Sequence, residues 1–221
     1  MKQIRKLPPP ESHIRYLAAP NPRYDEYPAV AKQDLREQLV REQRGLCCYC
    51  LCRIQSAVGS VKIEHWRSRK LHPESALDYQ NLLAACMGGE EPLDDDTPVL
   101  GRSPRILHCD SSKGKSDLKW NPAERDRNIE DRIRYGSDGT IMSDDKEFDA
   151  ELSEILNLNN DLLKEKRIGV LDGFTKAMRG KPSRDKLQKW LSFWNGDQNN
   201  NDLREYCQIV VWWIQKRLAR A

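Results

Sequence analysis

The spacing of apolar residues in the first half of the chain predicts one helix and two short structured segments. Leucines recur at helical spacing in residues 29–44, and Gly45 is a typical stop signal after them. Valine and isoleucine alternate with polar neighbours in residues 60–66, which predicts a short strand. Residues 78–86 are also apolar, but this segment is too short for periodicity to decide between strand and helix.

The second half of the chain is expected to be mostly helical after one hairpin. The glycines in residues 129–143 predict a β-hairpin around Gly136–Gly139. Helices with apolar stripes are predicted at residues 145–156, 159–178, 183–194 and 202–221. Their candidate capping residues are Asp144, Asn159, Ser183 and Asp202. The tryptophans of the last two helices are Trp190, Trp194, Trp212 and Trp213, and we expect them in the core or in an interface.

Two segments are expected to lack regular structure. Residues 7–28 hold six of the twelve prolines, which predicts an extended N-terminal arm over residues 1–28 without helix or strand. Three tyrosines in this arm indicate that it packs on its own domain or on a partner. Residues 88–107 are rich in glycine, proline and aspartate, as in an inserted acidic loop.

Composition limits the class of protein and charge suggests a partner. The 221 residues suit one large domain or a core with a helical extension, and no apolar run is long enough for a membrane span. Without a secretory leader, a cytoplasmic protein with no membrane partner is expected. Basic residues exceed acidic ones by seven in residues 1–70 and again in residues 166–221, whereas residues 71–165 carry an excess of 11 acidic residues. Basic ends suggest a polyanionic partner, although an unevenly charged solvated surface explains them equally well.

The cysteine pattern predicts a structural zinc site. Cys47 and Cys50 form a C-x-x-C pair, and a tetrahedral zinc needs two more ligands. The best candidates, Cys86 and Cys109, each follow an apolar run. Unpaired thiols are the alternative. The remaining cysteines are expected to be spares (Cys48 and Cys52) or part of the core (Cys207).

The residues between and after these cysteines carry a recognisable motif. They are, in chain order, Glu64, His65, Asn81, Asp110 and Lys113. The order C-x-x-C, acidic-His, Asn and Cys-Asp-x-x-Lys resembles that of the HNH endonucleases, over roughly residues 44–116. Glu64 stands where that family usually has aspartate, Asp110 where it has asparagine or histidine, and the second C-x-x-C is split by the insertion. These departures resemble the PtuB-type nucleases of Septu anti-phage systems, which work with an ATPase partner of the PtuA type.

The resemblance implies an α+β fold and a division of roles. A zinc-clamped ββα-metal core is expected in residues 29–120, followed by a hairpin and helical region in residues 121–221. Glu64 and His65 would lie on the first strand, and Asp110 would open the helix. His65 suits a general base, while Glu64 and Asp110 suit Mg²⁺ or Mn²⁺. Asn81 would orient His65 or hold the nearby loop, and Lys113 would contact substrate phosphate.

Each assignment has a structural alternative. A lone histidine on a strand is usually structural, and Asp110 also suits a helix N-cap. The predicted function is a metal-dependent endonuclease acting on DNA or RNA in a defence complex. In that complex, the N-terminal arm and the tryptophan-rich tail are hypothesised to dock the ATPase. The rival function is a non-catalytic zinc-binding module that docks nucleic acid or protein.

Overall fold

The centre of the molecule is a two-stranded antiparallel sheet, seen in a computed structural model that describes residues 1–90, 106–178, 180–198 and 202–220. Strand β1 (Lys62–His65) pairs with β2 (Leu82–Ala85), and His65 lies opposite Leu82. The strand predicted in residues 60–66 is confirmed. The undecided segment 78–86 forms a 3₁₀ turn and then the fully buried β2. Most of the predicted insertion at 88–107 lies outside the described residues.

Helix α2 (Ala29–Glu42) packs against β2 and confirms the predicted helix. The structure explains its stop, because Gly45 has a left-handed φ of 74° and donates its N–H to the Val40 carbonyl. Immediately after the helix, the buried Gln43 amide accepts from the Ala84 N–H at 2.7 Å and donates to the Ala84 carbonyl at 2.8 Å. This side chain therefore pairs with the edge of β2 as a neighbouring strand would.

The prediction of an N-terminal arm without helix is wrong. Helix α1 (Glu11–Leu17) forms between two groups of prolines, and a 3₁₀ turn follows at Tyr24–Glu26. Pro10 occupies the N-cap position of α1, where the missing proline N–H removes no helical hydrogen bond. The prolines therefore flank a seven-residue helix and do not exclude helical structure from the segment between them.

The N-terminal segment is also built into the body of the protein. Met1 is 1% exposed, and Ile4 donates its N–H to the Pro122 carbonyl at 2.8 Å. Lys6 and Glu42 form a fully buried ion pair at 2.6 Å. The Glu42 carboxylate also accepts from the Tyr79 hydroxyl at 2.6 Å, which ties the segment to the turn before β2. The segment therefore completes the core around the sheet.

The C-terminal region contains the predicted hairpin and helices. The elements are β3 (Arg134–Tyr135), β4 (Ile141–Met142), α4 (Lys146–Ala150, continued by a π-helical turn at Glu151–Ile155), α5 (Asp161–Ala177), α6 (Arg184–Asn195) and α7 (Cys207–Leu218). A short helix at Asp110–Lys113, α3, precedes them. Ser183 caps α6 as predicted. The caps of α4 and α5 are Asp145 and Asn160, each one residue after the predicted Asp144 and Asn159. Helix α7 begins at Cys207, five residues after the predicted cap.

The tryptophans of the tail are confirmed as packing residues. Phe174 of α5 meets three indole rings edge-on, with centroid distances of 5.3 Å to Trp190, 5.7 Å to Trp194 and 5.6 Å to Trp213. Among the described residues, no helix is long and apolar enough to cross a membrane.

Candidate active site and metal centre

The four cysteines predicted as zinc ligands converge at one point. The sulfur atoms of Cys47, Cys50, Cys86 and Cys109 all lie within 4.8 Å of one another, and all four residues are buried. The Sγ atoms of Cys47 and Cys109 are 3.9 Å apart, and those of Cys50 and Cys86 are 3.8 Å apart. Thiolates at about 2.3 Å from a tetrahedral Zn²⁺ would be about 3.8 Å apart. The donor set therefore fits a structural zinc that joins the turn after α2, the end of β2 and the start of α3.

Polar hydrogens point at these sulfur atoms. The Cys86 N–H lies 3.3 Å from the Cys47 sulfur, and the Cys52 N–H lies 3.5 Å from the Cys50 sulfur. His108 places its Nδ1 3.1 Å from the Cys109 sulfur. The two backbone N–H donors favour the thiolate form that a metal ligand requires. The His108 ring therefore lies against the cysteine cluster.

The carboxylate of Glu64 is buried at the end of β1 and makes two strong contacts. Its Oε1 accepts from the Tyr49 hydroxyl at 2.7 Å and lies 2.8 Å from the Lys113 ammonium. Burial is the main reason why its pKa lies well above the usual value. The neighbouring Asp110 carboxylate raises this pKa further, and Lys113 lowers it. A buried carboxylate beside a second acidic group is favourable only with a nearby positive charge.

Lys113 supplies such a charge from inside the protein. Its side chain is 1% exposed, and its Nζ also donates to the His65 carbonyl at 2.8 Å. The predicted contact with substrate phosphate therefore gains no support from this placement, because the ammonium group is already used within the protein. Lys113 instead fastens α3 to the end of β1.

The second predicted acidic ligand, Asp110, is the first residue of α3, as the motif implied. Its carboxylate is partly exposed and lies 3.5 Å from the Lys62 ammonium. Glu64 and Asp110 thus come from different elements to one place. Oxygen donors of this kind fit a hard dication such as Mg²⁺ or Mn²⁺, which would relieve the repulsion that raises the Glu64 pKa.

His65 has one ring nitrogen occupied and one available. Its Nε2 lies 3.0 Å from the Ala76 carbonyl, which only accepts hydrogen bonds, so Nε2 carries the proton. Among the described residues, Nδ1 has no hydrogen-bond partner. Burial lowers the His65 pKa to about 4, so the ring is neutral at neutral pH. The arrangement gives an imidazole with a free lone pair on Nδ1.

Asn81 binds backbone on the segment that follows β1. Its Oδ1 accepts from the Arg67 N–H at 2.7 Å, and its Nδ2 donates to the Arg67 and Ser75 carbonyls at 3.1 and 3.0 Å. Ser75 precedes Ala76, whose carbonyl orients His65. The amide is thus engaged in holding this loop, and its assignment as a catalytic residue stays a prediction.

Two tyrosines contact residues of the site but were not among the site residues predicted from the sequence. Tyr49 lies between the cysteines of the C-x-x-C pair, and this position beside two candidate ligands was a usable signal. Tyr24 meets the His65 ring edge-on with a centroid distance of 4.5 Å. It lies 41 residues away in the proline-rich segment, and no motif connects it with the histidine.

A comparison with known proteins agrees with the motif. Over 129 residues the chain is 29% identical to the "Retron Ec83 putative HNH endonuclease" of Escherichia coli, and the alignment covers 54% of this chain and 48% of the relative. The chain therefore matches about half the length of that relative. No protein-family model matches the chain. The similarity supports the HNH family and a nuclease activity, at low identity.

Proposed function

We propose that this protein is a metal-dependent HNH endonuclease that hydrolyses phosphodiester bonds in nucleic acid. The observation that carries the proposal is the state of His65. Its proton is fixed on Nε2 by the Ala76 carbonyl, its ring is neutral, and its Nδ1 has no hydrogen-bond partner among the described residues. A scaffold has no need for this combination.

The chemistry follows from these contacts. Nδ1 of His65 accepts a proton from the attacking water, and the Ala76 carbonyl stabilises the resulting imidazolium through the Nε2–H. Asn81 keeps this carbonyl in place through the loop that it binds. A general base of this kind contributes about 10²–10⁴-fold to the rate.

The expected catalytic dication, Mg²⁺ or Mn²⁺, would be held by Glu64 and Asp110. When bound, it supplies the positive charge that the scissile phosphate and the leaving oxygen require. Lys113 has a separate task, because it balances the buried Glu64 charge and fixes the carbonyl of His65. A zinc held by the four cysteines would have no chemical role and would clamp these elements together.

The test replaces His65 with alanine in the full chain. We expect cleavage of labelled DNA or RNA with Mg²⁺ or Mn²⁺ to fall by about 10²–10⁴-fold, while zinc content and thermal stability stay close to those of the parent. The matched control is His72→Ala, because His72 pairs with Asp117 outside the sheet. EDTA should abolish cleavage by the parent.

Two results would contradict the proposal. One is full cleavage by a folded His65→Ala protein. The other is a joint loss of stability and nucleic-acid binding in that variant, which would favour the rival function, a non-catalytic zinc-binding docking module with a structural His65.

We further propose that the chain is the effector subunit of an anti-phage defence complex with a PtuA-type ATPase. The support is the resemblance of Glu64, Asp110 and the split cysteine pair to the PtuB-type pattern. Affinity purification of the tagged chain with such an ATPase, with cleavage measured with and without ATP, is the test. Failure to form a complex would reject the partner and leave the nuclease proposal intact.

A further inference from the structure

A cavity of about 370 Å³ opens beside Asp110, between α2 and β1. We call it the α2 cleft, and its polar lining residues are Tyr24, Lys32, Arg36, Lys62 and Asp110. Cavities for small ligands measure about 300–1,000 Å³, so the α2 cleft suits a group of nucleotide size. It adjoins the place where a scissile phosphate would lie under the proposed function.

Two of the three cations in the α2 cleft have no acidic partner among the described residues. Lys62 contacts Glu90 at 2.8 Å and Asp110 at 3.5 Å, so its charge is balanced. Lys32 and Arg36 form no ion pair within the part of the chain that the structure describes. They lie four residues apart on α2 and therefore on the same face of the helix.

Arg36 is poorly satisfied for a partly buried guanidinium. Its Nε is buried without a hydrogen-bond partner among the described residues, and its one contact is a long 3.5 Å hydrogen bond to Gln33. A guanidinium normally uses its planar fork for bidentate binding of carboxylate or phosphate. The acidic residue of the cleft, Asp110, is expected to be occupied by the catalytic dication.

Tyr24 connects the α2 cleft with His65. Its ring packs edge-on against the imidazole at 4.5 Å, with Lys32 at 5.3 Å and Arg69 at 5.1 Å from the ring centroid. Among the described residues, the Tyr24 hydroxyl makes no hydrogen bond. The contribution of this residue to the site is therefore its ring.

We propose that the α2 cleft binds the substrate nucleotide next to the scissile bond. Lys32 and Arg36 bind its phosphate oxygens, and the Tyr24 ring packs against the nucleotide while holding the imidazole of His65 in place. The inference rests on the proposed function and deepens it, because it assigns the phosphate contact that the buried Lys113 does not make. A cationic groove with an aromatic ring is the usual way to hold a nucleic-acid strand without reading its sequence.

The first test measures binding separately from cleavage. Both proteins in the comparison carry His65→Ala, so that neither cleaves the probe, and one of them also carries Lys32→Gln and Arg36→Gln. Fluorescence anisotropy measures the binding of labelled DNA and RNA oligonucleotides to each protein over a range of salt concentrations. We expect the double variant to bind about 10- to 100-fold more weakly, with a salt slope reduced by about two. Comparison of the DNA and RNA oligonucleotides shows which nucleic acid binds through Lys32 and Arg36.

The matched control removes two positive charges elsewhere. Lys166 and Lys176 are exposed on α5, which contributes no residue to the cleft. The Lys166→Gln/Lys176→Gln protein should bind within about twofold of the parent, because these exposed side chains do not line the α2 cleft. Equal weakening in both double variants would show an unspecific charge effect and overturn the proposal.

The second test concerns the ring of Tyr24, with His65 intact. Tyr24→Phe keeps the ring and serves as the reference for the alanine variant. Tyr24→Ala should lower kcat/KM by about 5- to 100-fold, the size expected for one lost stacking contact. Equal activity of the alanine and phenylalanine variants would overturn the role of the ring.

The results separate failure of this inference from failure of the proposed function. If the parent cleaves nucleic acid and the Lys32→Gln/Arg36→Gln protein has parental affinity and salt slope, the α2 cleft is not the binding site and the nuclease stands. If the parent neither binds nor cleaves DNA or RNA, the proposed function fails and this inference fails with it.

Discussion

At the scale of single residues, the site depends on buried polar groups that hold one another. Glu64 is acceptable inside the protein because Tyr49 and Lys113 contact its carboxylate. Lys113 in turn binds the His65 carbonyl. Low dielectric makes such a network strong when every group has a partner and costly when one is missing. The network therefore fixes the end of β1, where the catalytic candidates lie.

Asn81 offers a prediction at this scale. We expect Asn81→Ala to lower the free energy of unfolding by about 1–3 kcal/mol, because two backbone carbonyls and one N–H lose their buried partner. Cleavage should fall because the Ala76 carbonyl no longer orients His65 firmly. Zinc content should not change. Thermal unfolding, elemental analysis and a cleavage assay measure the three effects.

The control variant, Asn81→Asp, keeps the side-chain oxygen that accepts a hydrogen bond and removes the NH₂ group that donates two. Asn81→Asp still accepts from the Arg67 N–H but cannot donate to the Arg67 and Ser75 carbonyls, so it should also be destabilised. An Asn81→Ala protein with parental stability and no activity would contradict the positioning role and favour direct participation in catalysis.

Residue types and their order predicted most residues of the candidate site, but not the contacts between them. The four cysteines meet as the motif predicted, and the Glu64 carboxylate lies beside that of Asp110. The motif could not show that Lys113 is buried against Glu64. Nor could it show that Tyr24 reaches His65, because that contact joins segments without a shared pattern.

At the scale of elements, the cysteine cluster joins three segments that are individually weak. The turn after α2 is irregular, β2 has four residues, and α3 is a single helical turn. A helix as short as α3 is unstable alone, because one turn does not offset the cost of nucleation. Its position therefore depends on tertiary contacts, which are the bonds of Lys113 to β1 and the zinc that the four thiolates are expected to hold.

This dependence gives a second prediction. Cys86→Ser should abolish zinc binding and unfold the core, because metal binding of about 10 kcal/mol is folding energy in such sites. Elemental analysis and near-ultraviolet circular dichroism measure the outcome. Cys207→Ser is the matched control, because Cys207 is a buried free cysteine outside the cluster and its variant should retain one zinc per chain. Zinc in the Cys86→Ser protein at the level of the parent would contradict the assignment.

Element prediction from the sequence succeeded where the apolar pattern was long and failed where prolines dominated. Helices α2, α5 and α6 carry clear apolar spacing and were predicted within a few residues. Helix α1 was missed because prolines on both sides concealed seven helical residues. The start of α7 was placed too early, because the chain reaches Tyr206 in a left-handed conformation before the helix begins.

At the scale of the whole molecule, one hydrophobic core extends from the first residue to the last helix. It contains Met1, the cysteine cluster and Ile214 of α7. The sequence suggested three regions: an arm, from its prolines; a nuclease core, from the resemblance to HNH endonucleases; and a helical tail, from its apolar stripes. Composition does not reveal long-range packing, such as the buried pair of Lys6 and Glu42 that fastens the first residues to α2.

A shared core predicts a single unfolding transition. Tryptophan fluorescence is dominated by the tail, which holds four of the six tryptophans, whereas release of zinc to a chromogenic chelator reports the cysteine cluster. We expect both signals to change at the same temperature, because neither region has a separate core. Separate midpoints would contradict this and favour independent nuclease and tail domains.

The buried pair of Lys6 and Glu42 makes this prediction sharper. Lys6→Met leaves Glu42 buried without its cation, which typically costs about 3–5 kcal/mol. For a chain of this size the loss corresponds to about 6–20 °C in Tm. Both signals should shift together, although the Lys6 side chain binds around the sheet, at Glu42, the Leu82 carbonyl and the Tyr79 ring. Lys70→Met, at an exposed position, should leave both midpoints unchanged. A shift of the zinc signal alone would show that the N-terminal segment stabilises only the sheet region.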